Sequence, residues 1–179
     1  MHSTIFITAL TFLCTVTSTA AAPIHRRALT LKSYNSMSIS SGTAGNAESR
    51  AKAVWSAGLD LSDLAKISDA DLEILKVERS NAEQAETEAF NPAIAAATGA
   101  EKDALQVGKI ANKVLKLTGL SQVRQIAIAK KEAKGQAVSA SERAALQDSL
   151  TKLAKNIETD KKNAGKASKA VSFVGQTSV

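Results

Sequence analysis

The stretch EKDALQVGKIANKVLKLTGLSQVRQIAIAKKEAK, residues 101–134, decides the fold class. Val107, Ile110, Val114 and Leu117 recur at intervals of three and four, and Leu120, Val123 and Ala127 continue the row after a slip of three at Gly119. Apolar residues at this spacing share one face of a 3.6-residue helix, and a slip of three is a stammer in a coiled-coil-like stripe. The pattern predicts one helix over 101–134, with a break at Gly119 as the alternative, closed by Gly135. A second long helix follows a turn at 136–139, with Ser141 placed as its cap. Its Leu146, Leu150, Leu153, Ile157, Ala164 and Val171 keep heptad-like spacing, interrupted by Asp160. The leucine-rich first half is expected to pack firmly, and the Ala/Lys-rich end from Lys161 to fray.

Upstream, the signals are again helical. Ser68 with Asp71 three residues on resembles a capping box, opening a helix to about Ala89 whose stripe is Ala70, Ile74, Val77, Ala82 and Ala85, widened by Leu72 and Leu75. Asn91 followed by Pro92 reads as a restart, a cap with proline at the first helical position, and Gly99 ends that short piece. Residues 61–67 form a brief helical turn. Ala47, Ala51, Val54 and Trp55 mark a short amphipathic helix ending at Gly58, led by a turn at 42–46 with Asn46 as cap. In 28–41, Leu29, Leu31, Met37 and Ile39 fall on odd positions, which suggests an extended segment lying along a helical body.

Short connections between amphipathic helices imply antiparallel neighbours. The expected fold is therefore all-α: an antiparallel helical bundle over 47–174 with a long C-terminal helical hairpin. An extended Ser/Thr-rich segment and turn at 28–46 precede it, and a disordered tail at 175–179 follows.

The N-terminus reads as a leader. The apolar run at 5–14 is shorter than the about 20 residues that span a bilayer, and small residues at 15–22 follow it. That is the signal-peptide pattern, with cleavage after Ala20 or Ala21 and a signal peptide at 1–21. Arg26 and Arg27 then form a dibasic processing site ending a short propeptide at 22–27. The working chain would begin at Ala28 and have 179 − 27 = 152 residues. Cys14, His2 and His25 all lie upstream of it, so disulfides, thiolate nucleophiles, imidazole bases and the usual zinc ligands are absent from the mature chain. Small exported folds often rely on disulfides; this one must rely on its apolar core. No transmembrane segment is expected in the mature chain.

Alanine fills 29 of those 152 positions, and the aromatics are Tyr34, Trp55, Phe90 and Phe173. Alanine is the best helix former. Charge is uneven: residues 60–103 hold 11 acidic and 4 basic groups, for −7, and residues 104–179 hold 5 acidic and 14 basic, for +9. Either acidic and basic helices pack together and offset each other, or the basic half faces an anionic partner. The candidate anionic-partner face is Lys109, Lys113, Lys116, Lys130, Lys131, Lys134, Lys152 and Lys155. Nucleic acid is not expected, because arginines for bidentate phosphate contacts are few and aromatic stacking platforms are missing.

No catalytic, cofactor-binding or metal-binding residues are assigned, and no cofactor is expected. Asp60, Asp63, Asp69, Asp71 and Glu73 form the dense acidic cluster. A calcium loop counted from Asp69 needs glycine sixth and glutamate twelfth, where the chain has Ile74 and Ser80; helix-start acids account for the cluster better. Gly42 to Gly45 lacks the Gly-Lys-Ser/Thr ending of a phosphate loop. A carboxylate-pair hydrolase fits poorly with so few aromatics.

The strings SISSGTAGNA (38–47), SDADLEIL (68–75), FNPAIAAATGA (90–100), ALQVGKIANKVLKLTG (104–119) and KNIETDK (155–161) together resemble fungal small secreted proteins. The resemblance implies export and an effector-like or environmental role; it carries over no functional residue. The leading expectation is a secreted, non-catalytic helical protein acting by binding, effector-like or associated with the cell surface. Its unknown extracellular partner would be a host protein, a wall polysaccharide or a lipid. The alternative is a small secreted carrier of an apolar ligand or lipid held between helices.

Overall fold

The computed structural model describes residues 29–179. The expected signal peptide, the propeptide and residue 28 lie outside the described residues. In chain order the elements are α1 (Tyr34–Met37), β1 (Gly42–Thr43), α2 (Ala47–Ser56), a 3-10 turn (Leu64–Lys66), α3 (Asp69–Gln84), a π-helical turn (Ala85–Phe90), α4 (Asn91–Ala96), α5 (Gly99–Ala133), α6 (Ala140–Lys162) and β2 (Ala167–Ser168). The fold is the expected helical bundle, with α5 and α6 as its long hairpin.

α5 is the axis. At 35 residues it is about 50 Å long, and it packs against α2, α3, α4, α6, the 3-10 turn, the π-helical turn and β2. It runs unbroken through Gly119, so the stammer is absorbed within one helix. The glycine is there for close approach. A Cβ at 119 would lie 2.6 Å from Cε2 and Cη2 of Trp55. Trp55, 1% exposed, donates its Nε1–H to the Leu115 carbonyl at 2.8 Å, and Gln122 returns a bond from Nε2 to the Trp55 carbonyl at 2.9 Å. The core around this contact gathers Tyr34, Met37, Ile67, Leu72, Leu75, Phe90, Val114, Leu115 and Ile126.

The structure departs from the sequence reading wherever a distant residue takes over a local role. Asn46 stands at the N-cap of α2 but makes no side-chain cap bond. Asp160, near the end of α6 and 2% exposed, caps α2 instead: its Oδ2 accepts from Gly45 N at 3.1 Å and Ala47 N at 2.9 Å. The end of α6 is therefore tied down, not frayed. α6 stops at Lys162, with Ala164 exposed beyond it, so the heptad spacing through 164 and 171 does not continue as helix. Leu146, Leu150, Leu153 and Ile157 are only half-buried, because α6 lies on the outside of α5. Ser139, not Ser141, caps α6; Glu142 three residues on completes a capping box that the spacing allowed.

An α-helix does restart at Asn91 with Pro92 in its first turn, but Asn91 is not its cap. Asn91 is helical at φ −61°, ψ −48°, and its N–H bonds back five residues to the Glu86 carbonyl. Proline has no N–H and its ring opposes the carbonyl four residues earlier; the wider π turn ahead of Pro92 is where the helix absorbs that mismatch. On α3 the buried face is Leu72, Leu75, Glu78, Asn81 and Ala82, whereas Ala70 is exposed. Ser68 does cap α3, accepting from Asp71 N at 3.0 Å, while the Asp71 carboxylate accepts from Leu29 N at 2.7 Å.

The N-terminal segment does lie along the helices, but its alternation is broken by α1, which buries Tyr34 with Met37. A two-residue sheet also forms, with Gly42 opposite Ser168 and Thr43 opposite Ala167. It starts a strap running from the end of α6 back across α5 to α3. Lys169 N donates to the Ala104 carbonyl at 3.0 Å, passing so near Gly108 that a Cβ there would lie 2.9 Å from the Lys169 carbonyl carbon. Phe173 meets Tyr34 edge-on, with centroids 5.8 Å apart. The Asn81 amide then bonds both N–H and C=O of Gln176, at 2.8 and 3.0 Å. Gly175 and Gln176 thus belong to the fold and not to a loose tail.

Two outcomes follow. Gly119→Ala replaces a poor helix former with the best one, a local gain of about 1 kcal/mol, yet drives a methyl into Trp55. Overpacking of this kind costs about 1–3 kcal/mol, so the midpoint of thermal unfolding is expected to fall, and the fluorescence of the lone tryptophan reports it. Asp160→Ala removes two charge-assisted bonds worth about 1.5–3 kcal/mol each and should lower stability by at least about 2 kcal/mol, with amide exchange in the first turn of α2 accelerated. Unchanged exchange there would mean that α2 does not depend on this cap.

Candidate functional site

Lys109, Lys113 and Lys116 sit at i, i+4 and i+7 on α5, one above another on the same face. Like charges at that spacing repel, and α5 itself supplies no acid there. The acid comes from the π-helical turn: Glu86, whose side chain is 13% exposed, receives Lys116 at 2.6 Å, Lys113 at 3.4 Å and Lys109 at 3.9 Å. Burial pushes the Glu86 carboxyl up, but the three ammonium groups outweigh it and hold the group below the ordinary carboxylate range. Lys109 also donates to Asn91 Oδ1 at 2.5 Å.

Beside this cluster an open groove of about 670 Å³ runs between α4, α5 and the turn after α6. Its floor is Ile94, Val107 and Ile110, and its rim carries Lys109, Lys113 and Lys166 with Asp103, Gln106 and Asn163. Lys166 donates to Asn163 Oδ1 at 2.8 Å. A second open groove of about 590 Å³ lies between α4 and the strap, lined by Ala93, Ala96, Ala97, Leu105, Val171 and Phe173 with Glu88, Glu101 and Lys169.

The other lysines of the candidate face go elsewhere. Lys130 reaches the Ile67 carbonyl at 2.5 Å and Asp69 at 2.9 Å. Lys131 pairs with Glu142, whose carboxyl is lowered to about 2 by that bond and by the Ser139 N–H and hydroxyl. Lys134 acts on Asp69 only through its charge. Lys152 pairs with Asp148 at 2.7 Å, and Lys155 lends its charge to Glu158. Of the eight lysines, three converge on Glu86, Lys130, Lys131 and Lys152 hold other ion pairs, and Lys134 and Lys155 act through charge alone. Ala20, Ala21, Arg26 and Arg27 lie outside the described residues.

The acidic cluster likewise disperses into structural work. Asp63 caps the 3-10 turn by accepting from Ala65 N at 3.1 Å, Asp69 pairs with Lys130, Asp71 holds Leu29 N, and Glu73 pairs with Lys76 at 2.6 Å. Asp60 accepts from Ser62 N and Oγ. Among the described residues, no three of His, Cys, Asp and Glu are grouped to hold a metal ion. No helix of the described residues is long and apolar enough to cross a membrane.

Sequence reasoning missed Glu78. It is 1% exposed, accepts from Lys32 N at 2.9 Å through Oε1, and has no hydrogen-bond partner at Oε2. Desolvation raises its carboxyl, opposed by the Lys32 N–H and the Lys32 charge. A carboxyl raised in the fold adds stability below its unfolded pKa and loses it as pH climbs through the folded value. Glu78→Gln should therefore gain on the wild type as pH rises from 4 to 8, in paired thermal melts. A constant gap across that range would mean that the carboxyl titrates alike in the folded and unfolded chain.

Comparison with curated proteins gives no match, and neither does comparison with solved structures. A family model described as "Domain of unknown function (DUF8454)" matches residues 29–172, from the Leu29 clamp to the strap beside Phe173. The chain belongs to this family.

Proposed function

We propose that the chain is a secreted, non-catalytic helical protein that acts by binding, effector-like or surface-associated, in the manner of the fungal small secreted proteins it resembles. The observation that carries this reading is the use made of the acidic side chains. A carboxylate-based hydrolase needs one carboxyl with a raised pKa in reach of substrate. Among the described residues the carboxyl so raised is Glu78, which is buried and holds the backbone of Lys32. Glu88 and Glu101 share a groove, but Glu101 is paired with Lys169 and held below its ordinary range, the wrong direction for a general acid.

Processing at Arg27 is compatible with the fold. The clamps from Leu29 to Asp71 and from Lys32 to Glu78 both stay on a chain that begins at residue 28. The carrier alternative has its best support in the alanine-floored groove beside the strap, whose about 590 Å³ falls in the range of ligand sites. That groove is largely open to solvent, whereas a carrier buries most of its ligand's surface, so surface binding is the better account.

The test is the native protein. N-terminal sequencing from culture supernatant is expected to begin at Ala28, and the purified chain is expected to be retained by wall polysaccharide or host extract while turning over no glycoside or ester. A cell-retained form beginning at Met1, or measurable hydrolysis, would overturn the reading.

A further inference from the structure

The cluster behind the open groove is short of negative charge. Lys109, Lys113 and Lys116 share the single carboxylate of Glu86, Lys166 on the opposite rim meets only the Asn163 amide, and Asp103 is the one acid on the lining. On the lining, the ammonium groups of Lys109, Lys113 and Lys166 face the one carboxylate of Asp103, an excess of +2, while Lys116 and Glu86 offset each other behind it. Gathering like charges in a recess with an apolar floor raises their mutual repulsion, because the low-dielectric wall screens them less than water does. An anion entering the groove relieves that repulsion.

Resting on the reading of the chain as a binding protein, we propose that this groove, with Lys109, Lys113 and Lys166 as its charged contacts, binds a carboxylated polysaccharide strand. Three features select that class. The two α5 contacts, Lys109 and Lys113, are recessed, with side chains 24% and 32% exposed, so the ligand must be slender enough to enter; a flat bilayer surface or a folded protein face is too broad. The groove is open to solvent and not an enclosed cavity, which admits part of a longer polymer. Neutral glycans are gripped by stacking on aromatic rings, and here Tyr34, Trp55 and Phe90 are buried while Phe173 is packed on Tyr34. Recognition is left to charge, with the amides of Gln106 and Asn163 placed to bond hydroxyls. Lysine rather than arginine suits this role, since an ammonium is a point charge that sets no bidentate geometry.

Calorimetric titration of the secreted protein with polygalacturonate tests it, alongside neutral β-glucan and inorganic phosphate. Polygalacturonate is expected to bind, and to weaken as salt rises because the Debye length shrinks. The Lys113→Gln, Lys166→Gln double variant should bind at least about tenfold more weakly, the equivalent of about 1.4 kcal/mol. Lys152→Gln with Lys155→Gln removes the same charge from α6 and should leave affinity within about twofold. Glu86→Gln should tighten binding at low salt, since it removes the competing carboxylate. If Glu86→Gln unfolds, the two double variants still decide the matter.

Equal weakening by both doubles would show diffuse charge attraction and overturn the site. Equal affinity for neutral glucan would overturn the charge argument, and binding of phosphate alone would overturn the polysaccharide. If polygalacturonate fails while a wall or host extract still retains the protein, the site assignment falls and the binding reading stands. A blank in both removes the binding reading as well.

Discussion

How closely α2 can lie on α5 governs the rest of the molecule, and the missing side chain at Gly119 sets that approach. With no Cβ there, the Trp55 ring rests on the helix backbone, and the pair of bonds with Leu115 and Gln122 fixes its depth. That placement brings the first turn of α2 to the end of α6, where Asp160 meets its free N–H groups. From Asp160 the chain turns into the short sheet with β1 and then the strap, which passes over Gly108 and packs Phe173 on Tyr34. The open basic groove exists because this turn, carrying Asn163 and Lys166, stops short of α4.

The described residues hold no cysteine, and long-range side-chain-to-backbone bonds take over the stapling. Asn112, fully buried, accepts from the Tyr34 hydroxyl and donates to the Ala82 carbonyl, linking the N-terminal segment, α3 and α5. Asn81 ties α3 to the strap, and Asp71 and Glu78 tie α3 to Leu29 and Lys32. Each such bond adds only about 1 kcal/mol net, but leaving its buried partner unmade costs about 1–3 kcal/mol. The network therefore acts mainly by penalising alternative packings, which suits a bundle whose alanine-rich helices interlock weakly by shape.

Electrostatics follow the same division of labour. The acidic 60–103 and basic 104–179 segments meet across elements, as in Glu86 with the three α5 lysines and Asp69 with Lys130. The offset reading of the charge asymmetry thus describes most of the surface. It fails locally where one carboxylate serves three ammonium groups, and there the second reading, an anionic partner, regains its basis.

Much of this architecture was legible in residue order, because helix periodicity, turn glycines and caps such as Ser68 act within a few residues. The stripe on α5, the hairpin and the helix-start role of the acids near Asp69 all follow from local spacing. The capping role of Asp160, the burial of Glu78 and Asn81, and the strap depend on partners more than 40 positions away. The lysines show the boundary most plainly: their spacing on α5 placed Lys109, Lys113 and Lys116 on one face, but only the approach of the π turn gave them Glu86, and only the turn after α6 added Lys166. Covalent geometry and side-chain period are properties of neighbours in the chain. A charge site and a buried cap are properties of neighbours in space, so packing had to decide them.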